Sequence, residues 1–280
     1  MFGRGTRWLT GAVIVGCLML LGPSAPSCSP TNTAQPVEPA RDVVANRVMT
    51  WNICNPCGSE QNAGRAADIA KYAPQVIGLQ EACQRDVERI REYLEHRHGL
   101  VYHVEYGMVL RKMGRCGGTP WSPGAYGNAI LSAAPMTDRT NTEYPDGGSE
   151  DRGYLAVTTK VDGRSVRVFN THLAERSQEP VRADQTRRFA AVFARHKRAI
   201  AIGDFNAVPD SPEIAPMWKV ATDADPQCRP PSDAACEVTT DWHLKFDYIF
   251  SRGAIEPQKQ RVHTSAHSDH NLVRAELNLT

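Results

Sequence analysis

The chain has 280 residues, 41% hydrophobic and 22% charged, with a formal net charge of +1. That length and apolar content exclude a chain too small or too polar to bury a core, and leave room for one large domain or two small ones. The near-neutral balance neither demands nor excludes a nucleic-acid or membrane partner, so function has to be read from motifs.

At the N-terminus, Arg4 and Arg7 precede an apolar run, Trp8–Leu21, that is shorter than the ~20 residues needed to span a bilayer. Small residues follow at Ala25 and Ser27, so residues 1–27 are expected to be a signal peptide cleaved after Ser27. Cys28 would then be the first mature residue, the position that carries the lipid in a bacterial lipoprotein. The alternative is plain secretion, because Ala-Pro-Ser before the cysteine is a poor lipoprotein box. Residues 28–44 are rich in Pro, Ser, Thr and Asn and read as a flexible tether. The folded domain is expected to occupy residues 45–280, exported and either secreted or anchored to the outer face of the membrane.

Export makes the 8 cysteines interpretable. Cys17 leaves with the signal peptide. If Cys28 is lipidated, the remainder is Cys54, Cys57, Cys83, Cys116, Cys228 and Cys236, an even set suited to disulfides. Cys54 and Cys57 form a C-x-x-C, which can be a redox dithiol, half a zinc site or two disulfide cysteines. A zinc site needs two more soft ligands at matching spacing, and the sequence offers none. A redox pair opens a helix, whose dipole lowers the thiol pKa, whereas this pair precedes Gly58 and a loop. Disulfide chemistry is therefore expected. Cys228 and Cys236 enclose a short Pro-rich loop and are expected to pair.

Along the domain, "RVMTWNI" reads as a strand. "SEQNAGRAADIAKY" reads as a helix, with Ser59 as N-cap and Ala67, Ile69 and Ala70 on one side. "PQVIGLQE" is a short buried strand. "QRDVERIREYLEHRHG" is an amphipathic helix with Val87, Ile90 and Leu94 inward and Gly99 as its C-cap. "YHVEYGMVLRK", "GNAILS", "RGYLAVTTKV" and "SVRVFNTHL" follow as antiparallel strands between Gly, Pro and Asp clusters. "EPVRADQTRRFAAVFARH" is a helix burying Phe189, Val192 and Phe193. "AIAIGDF", "FDYIFSRG" and "HNLVRAELNL" complete the strands. No repeat or composition break divides residues 45–280. The pattern predicts one α+β domain, a four-layer α/β/β/α sandwich in which two mixed sheets pack face to face with helices outside.

Several apolar strands end in polar residues: Asn52, Glu81, Asn170 with His172, and Asp204 with Asn206. Asp247 opens a strand, and Asp269 and His270 stand beside the last one. Buried polar groups need partners or a task. A single Asp204 reads as a turn residue and a single His172 as a core histidine, but so many such ends suggest one shared rim. Carboxylates and amides without thiolate make a hard, oxygen-rich site suited to Mg²⁺, Mn²⁺ or Ca²⁺. Histidines near acids add fixed or charged imidazoles. Together these groups suit attack of water on a phosphate ester.

The ordered set "TWN", "LQE", "GNAILS", "NTHL", "GDFNAVP", "FDYIF" and "SDHN" resembles the endonuclease/exonuclease/phosphatase superfamily, the fold of deoxyribonuclease I, over about Arg47 to Asn278. The resemblance implies a metal-dependent phosphoric ester hydrolase. It implies Glu81 as principal metal ligand, Asn52 as the amide supporting that site and Asp269 as a further acid there. Asp204 and Asn206 would orient water and contact phosphate. His270 with Asp247 would face the scissile phosphate, and His172 would be the second catalytic histidine. Arg152 matches a phosphate-contacting arginine, with a solvated surface arginine as the alternative, and Asn170 joins the substrate-binding set. In deoxyribonuclease I the histidine matching His172 pairs with a glutamate. Here the matching position is Asn128, which can hold the ring but not favour its charge, so His172 is expected to be less often protonated.

The substrate remains divided. The "NTHL" histidine argues against abasic-site endonucleases, and "FDYIF" lacks the inositol-phosphatase signature. An exported monomeric nuclease or general phosphodiesterase is preferred. Arg182, Arg187, Arg188, Arg195, Lys197 and Arg198 could meet a nucleic-acid backbone, or simply form a solvated helix face. A sphingomyelinase-like enzyme is the alternative, with "MGRCGGTPWSPGAY" and its Trp121 and Tyr126 as the membrane loop. A non-catalytic binding domain is the third reading. In the implied fold the strands bearing Asn52 and Glu81 are neighbours, so Cys54–Cys83 and Cys57–Cys116 are the expected cross-loop disulfides.

Overall fold

The computed structural model describes residues 42–54, 58–231 and 236–280. In chain order its elements are β1 (Val44–Asn52), α1 (Asn62–Tyr72), β2 (Pro74–Cys83), α2 (Gln84–His98), β3 (His103–Arg111), α3 (Met113–Cys116), β4 (Gly118–Thr119), β5 (Ser122–Pro123), β6 (Ala125–Ser132), β7 (Thr137–Glu143), β8 (Gly153–Val161), β9 (Arg164–His172), α4 (Glu179–Phe193), β10 (Ala199–Asp204), α5 (Ala215–Val220), β11 (Thr222–Asp223), β12 (Asp247–Arg252), β13 (Ile255–His263) and β14 (Leu272–Leu279). One sheet has the order β13-β14-β1-β2-β6-β3 and the other β11-β12-β10-β9-β8-β7. Each contains one parallel pair, β1 with β2 and β10 with β9, and is otherwise antiparallel. The fold is thus the expected sandwich of two mixed sheets.

Side-chain alternation sorts the strands into layers. On β1, Met49 and Trp51 face outward and pack with Ala66, Ile69 and Ala70 of α1 and Val87, Ile90 and Leu94 of α2. Val48 faces the other way and meets Val76, Ile130, Val168, Ile200 and Ile202 between the sheets. On the second sheet Phe169, Ala201, Tyr248 and Phe250 turn outward, under Phe189 and Phe193 of α4 and Met217 and Trp218 of α5. Edge-on ring contacts knit that outer layer, Phe169 to Phe189 at 5.8 Å among them. A strand whose two faces are both covered cannot show a polar side, so β10 reads as a nearly continuous apolar run.

The differences from expectation have physical causes. Ala66 rather than Ala67 lies on the buried side of α1, and a 3₁₀ turn at Ser59–Gln61 precedes the helix without a side-chain cap at Ser59. Strands β7 and β13 go unmarked in the sequence because both are sheet edges. Thr137–Glu143 is almost wholly exposed, and Ile255–His263 is mostly polar. The cross-loop disulfides are corrected. Cys83 pairs with Cys116, with Cα atoms 5.3 Å apart. Cys83 stands opposite Tyr126 on β6, and Cys116 packs with that same Tyr126, Cys83 and Val109. The partner of Cys83 thus comes from the β3–β6 side of the sheet rather than from β1. Cys54 is disulfide-bonded elsewhere, and Cys57 lies outside the described residues. Cys228–Cys236 is present as expected.

Candidate active site

The inter-sheet face is apolar along most of its length and turns polar at one end. On β1 the inward series is Val48, Thr50, Asn52; on β9 it is Val166, Val168, Asn170, His172; on β10 it is Ile200, Ile202, Asp204. Register then sets neighbours side by side. Asp204 lies opposite His172 on one flank and opposite Asp247 on the other. Opposed carboxylates repel, and the arrangement is tolerated because a histidine stands between them. His270 Nδ1 lies 2.9 Å from Asp247 Oδ2, and its Nε2 is 3.7 Å from Asp204 Oδ2. His270 is itself anchored to the first sheet, since its carbonyl accepts Trp51 Nε1–H at 2.9 Å. Ser268 Oγ donates to the carbonyls of Asn52 and Cys54, drawing the loop before His270 against the end of β1.

Glu81 reaches this rim by a backbone irregularity. Val76, Gly78 and Gln80 face inward on β2, so strict alternation would send Glu81 outward with Ile77 and Leu79. The β2–β6 register shifts between Leu79 and Ala82, and Glu81 takes a left-handed φ of 53°. A bulge of this kind re-aims a side chain. Asn52 Nδ2 consequently donates to Glu81 Oε1 at 3.3 Å and to Asp204 Oδ2 at 3.2 Å, bridging the two sheets. Asn206 is a second left-handed residue, at φ 50°, with its N–H bonded to Asp204 Oδ1. Two non-glycine residues in this region beside one cleft mark strain held at a site.

The titrating groups are pushed apart. Burial alone would lower His270, but Asp247 and Asp204 outweigh it and raise the ring to about 10, so it is a cation at neutral pH. Burial raises Asp204 to about 7; Asp247 adds to this while His270 opposes it. His172 goes the other way: burial first, then Arg152, His270 and Arg115, hold it well below the ordinary histidine range. Arg152 Nη1 lies 3.2 Å from His172 Nδ1, which must therefore accept. The proton of the neutral ring is then on Nε2 and points toward Asp204 Oδ2 at 3.4 Å, while Asn206 Nδ2, 3.1 Å from Nε2, is itself a donor and gives its hydrogen bond to the Leu173 carbonyl.

The structure thus brings Asn52, Glu81, His172, Asp204, Asn206, Asp247 and His270 to one rim. Asp269 is half-buried beside them and adds to the field that keeps His270 charged. Two residues stand apart. Asn170 is fully buried between the sheets, donating to the carbonyls of Leu79 and Ala129 and accepting from Gln80, so its amide has no reach to a substrate. Asn128 donates to the Gly153 carbonyl, and it is Arg152 rather than Asn128 that meets His172 Nδ1. The surface-arginine alternative for Arg152 also fails, because the residue is 7% exposed and bonded to Glu150. Arg115, Glu150 and Trp242 escaped the sequence reading. Trp242 meets the His270 ring edge-on at 5.3 Å. For Arg115 the only signal was its neighbour Cys116.

The donor set fits a hard divalent cation. Glu81, Asp204 and Asp247 supply carboxylates, Asp204, Asp247 and His270 each offer an atom within 4.8 Å of the others, and buried Asp247 Oδ1 has no hydrogen-bond partner among the described residues. The nearby cysteines, Cys54, Cys83 and Cys116, are in disulfides and offer no thiolate to a softer metal. Since His270 is held by Asp247, the Asn52–Glu81 corner is the better seat for an ion.

The Endonuclease/Exonuclease/phosphatase family matches residues 49–270. Among solved structures, an endonuclease/exonuclease/phosphatase from Beutenbergia cavernae superposes with a TM-score of 0.66 at 24% identity, over 83% of this chain and 71% of the other. A humanised D. rerio TDP2 gives 0.65 at 19% identity, over 83% and 98%. D. rerio TDP2 complexed with a single-strand DNA product gives 0.66 at 18% identity, over 83% and 98%. Comparison with curated proteins gives no match.

Proposed function

The chain belongs to the endonuclease/exonuclease/phosphatase family, whose members are divalent-metal-dependent phosphoric ester hydrolases, and on that premise we propose that it is an exported phosphodiesterase acting on nucleic acid. The observation carrying the reading is the His270–Asp247 pair beside Asp204, with His172 across the sheet. The TDP2 structure with a DNA product supports the substrate class.

In this reading Asn52, Glu81 and Asp269 hold the ion. When bound, it supplies Lewis-acid stabilisation of charge on the phosphoryl oxygens. Asp204, poised near neutrality and oriented by Asn52 and the Asn206 N–H, takes a proton from the attacking water. Cationic His270, fixed by Asp247, faces the developing negative charge. Neutral His172 and Asn206 donate hydrogen bonds to non-bridging oxygens. Export is supported by the N-terminal apolar run and by disulfides, which persist in oxidising compartments. A signal peptide ending at Ser27, with Cys28 free or lipidated, follows from the same reading.

A sphingomyelinase-like activity is the second reading, favoured by Trp121, which is 89% exposed at the tip of the β4–β5 hairpin. Against it, Tyr126 of the same stretch is buried, leaving only Trp121 and the half-exposed Met113 as large apolar side chains to enter a membrane. The test uses bis(p-nitrophenyl) phosphate, plasmid DNA and sphingomyelin vesicles, each with Mg²⁺ or Mn²⁺ and with EDTA. DNA and the small diester should be hydrolysed only with the ion, and Glu81→Ala should lose most of the activity. Turnover of vesicles alone would reverse the substrate choice; no turnover with any divalent ion would favour a binding module.

A further inference from the structure

Beside the hydrolytic rim lies a second group of charges that the reaction does not use. Lys112 Nζ is 2.7 Å from Glu150 Oε1, Arg152 Nη1 is 2.8 Å from Glu150 Oε2, and Arg115 Nη1 is 3.7 Å from that same oxygen. Arg115 Nη1 also donates to Glu81 Oε2 at 3.0 Å and to Tyr126 Oη at 2.7 Å, with its guanidinium over the Tyr126 ring. Burial opposes ionisation of Glu150, but the hydrogen bond from Lys112 and the charges of Arg152, Arg115 and Lys112 outweigh it, so three cations face two carboxylates.

Glu81 stands between this group and the reaction centre. Its Oε1 faces Asn52 and, at 3.9 Å, His172; its Oε2 faces Arg115. Arg115 is therefore one carboxylate away from the scissile phosphate. An ion held at Glu81 draws on the charge that now offsets Arg115, leaving Glu150 against Lys112, Arg152 and Arg115. Glu150 does not need the arginine, because Lys112 and Arg152 already satisfy it. Arg115 engages only Nη1 among the described residues, and its side chain is 36% exposed, so Nε and Nη2 are open to a ligand. Its placement is covalent. The Cys83–Cys116 disulfide joins the residue next to Arg115 to a residue two beyond Glu81. A guanidinium held this way loses little further freedom on meeting an anion, and its planar fork suits phosphate oxygens.

We propose that Arg115, backed by Lys112 and delivered by the Cys83–Cys116 disulfide, forms a second phosphate subsite that takes a phosphate adjacent to the one being hydrolysed. The proposal rests on the phosphodiesterase reading and narrows it to substrates carrying more than one phosphate, such as an oligonucleotide.

The test compares kcat/KM of the Mg²⁺-loaded protein on bis(p-nitrophenyl) phosphate, which has one phosphate, and on a short single-stranded oligonucleotide. Arg115→Gln should shrink the preference for the oligonucleotide roughly ten- to a hundredfold, whatever happens to the absolute rates. Arg115→Lys should restore part of it, and Cys83→Ser/Cys116→Ser should reproduce the loss at a temperature where the variant is folded. Calorimetric titration gives a readout without turnover: a nucleoside 3′,5′-bisphosphate should bind wild type more tightly than the 5′-monophosphate, and Arg115→Gln should erase the difference. If both substrates decline in step and the two nucleotides lose affinity equally, Arg115 merely supports Glu81 and the subsite is refuted. If wild type hydrolyses neither substrate but still prefers the bisphosphate, the catalytic reading fails and the subsite stands.

Discussion

Asp247 makes no contact with the attacking water in the proposed reaction, yet it decides the charge of His270. Remove its carboxylate and burial, which lowers the ring's pKa, is opposed mainly by Asp204. Asp247→Asn should therefore carry the alkaline limb of the pH–rate profile from near 10 down toward the ordinary histidine value of about 6.5. An unmoved limb would mean that some other group sets it. The sign for stability follows from the same shift. The folded pKa lies above the unfolded one, so the charged ring contributes stability fully below about 6.5 and loses it as pH rises through about 10. His172 is the contrasting residue. Its expected neutrality was right in direction, but the cause was misassigned to Asn128, whereas burial and Arg152 produce it. One position of sequence separates a side chain that faces the cleft from one that bonds a strand carbonyl, and a motif does not record which.

At the scale of elements, strands covered on both faces were legible because their apolar runs are long and end abruptly in Asn, His or Asp. The bulge that turns Glu81 inward was not, because the register shift belongs to the pairing of β2 with β6 rather than to either strand. The polar end of its strand puts Glu81 on the rim, and the resemblance alone makes it a metal ligand. Helix α4 shows the reverse error, a charge pattern read as a single surface. Arg182 is buried and paired with Glu213, while Arg187 and Arg188 both engage Asp184 on the exposed side. The basic stretch thus divides into a buried tie and a solvated pair. Arg182→Ala should destabilise the protein by about 3–5 kcal/mol, since it strands Glu213 without its cation. Arg188→Ala should change stability by no more than about 0.5 kcal/mol. Equal effects in urea unfolding would overturn this division.

For the whole molecule, the two sheets are glued by valine and isoleucine along most of their interface, but at the catalytic end the glue becomes carboxylate and amide. There the contacts that cross between sheets are polar, Asn52 to Asp204 and Gln80 to Asn170. Carboxylates gathered at that end repel one another, and a divalent ion bound there would offset the repulsion. An ion that binds the folded state alone stabilises it by about 2.7 kcal/mol at a concentration 100 times Kd. For a domain of this size that corresponds to roughly 5–10 °C in Tm. Mg²⁺ added to EDTA-treated protein should therefore raise Tm by that order, and Glu81→Ala should flatten the response. Should Glu81→Ala keep the full rise while Asp204→Asn loses it, the ion sits among Asp204, Asp247 and His270, and the Asn52–Glu81 corner acts on the substrate instead. Either outcome ties the ion to global unfolding, because the Asn52–Glu81 corner of the first sheet is hydrogen-bonded to Asp204 of the second, and the Asp204–Asp247–His270 seat joins the second sheet to a loop of the first.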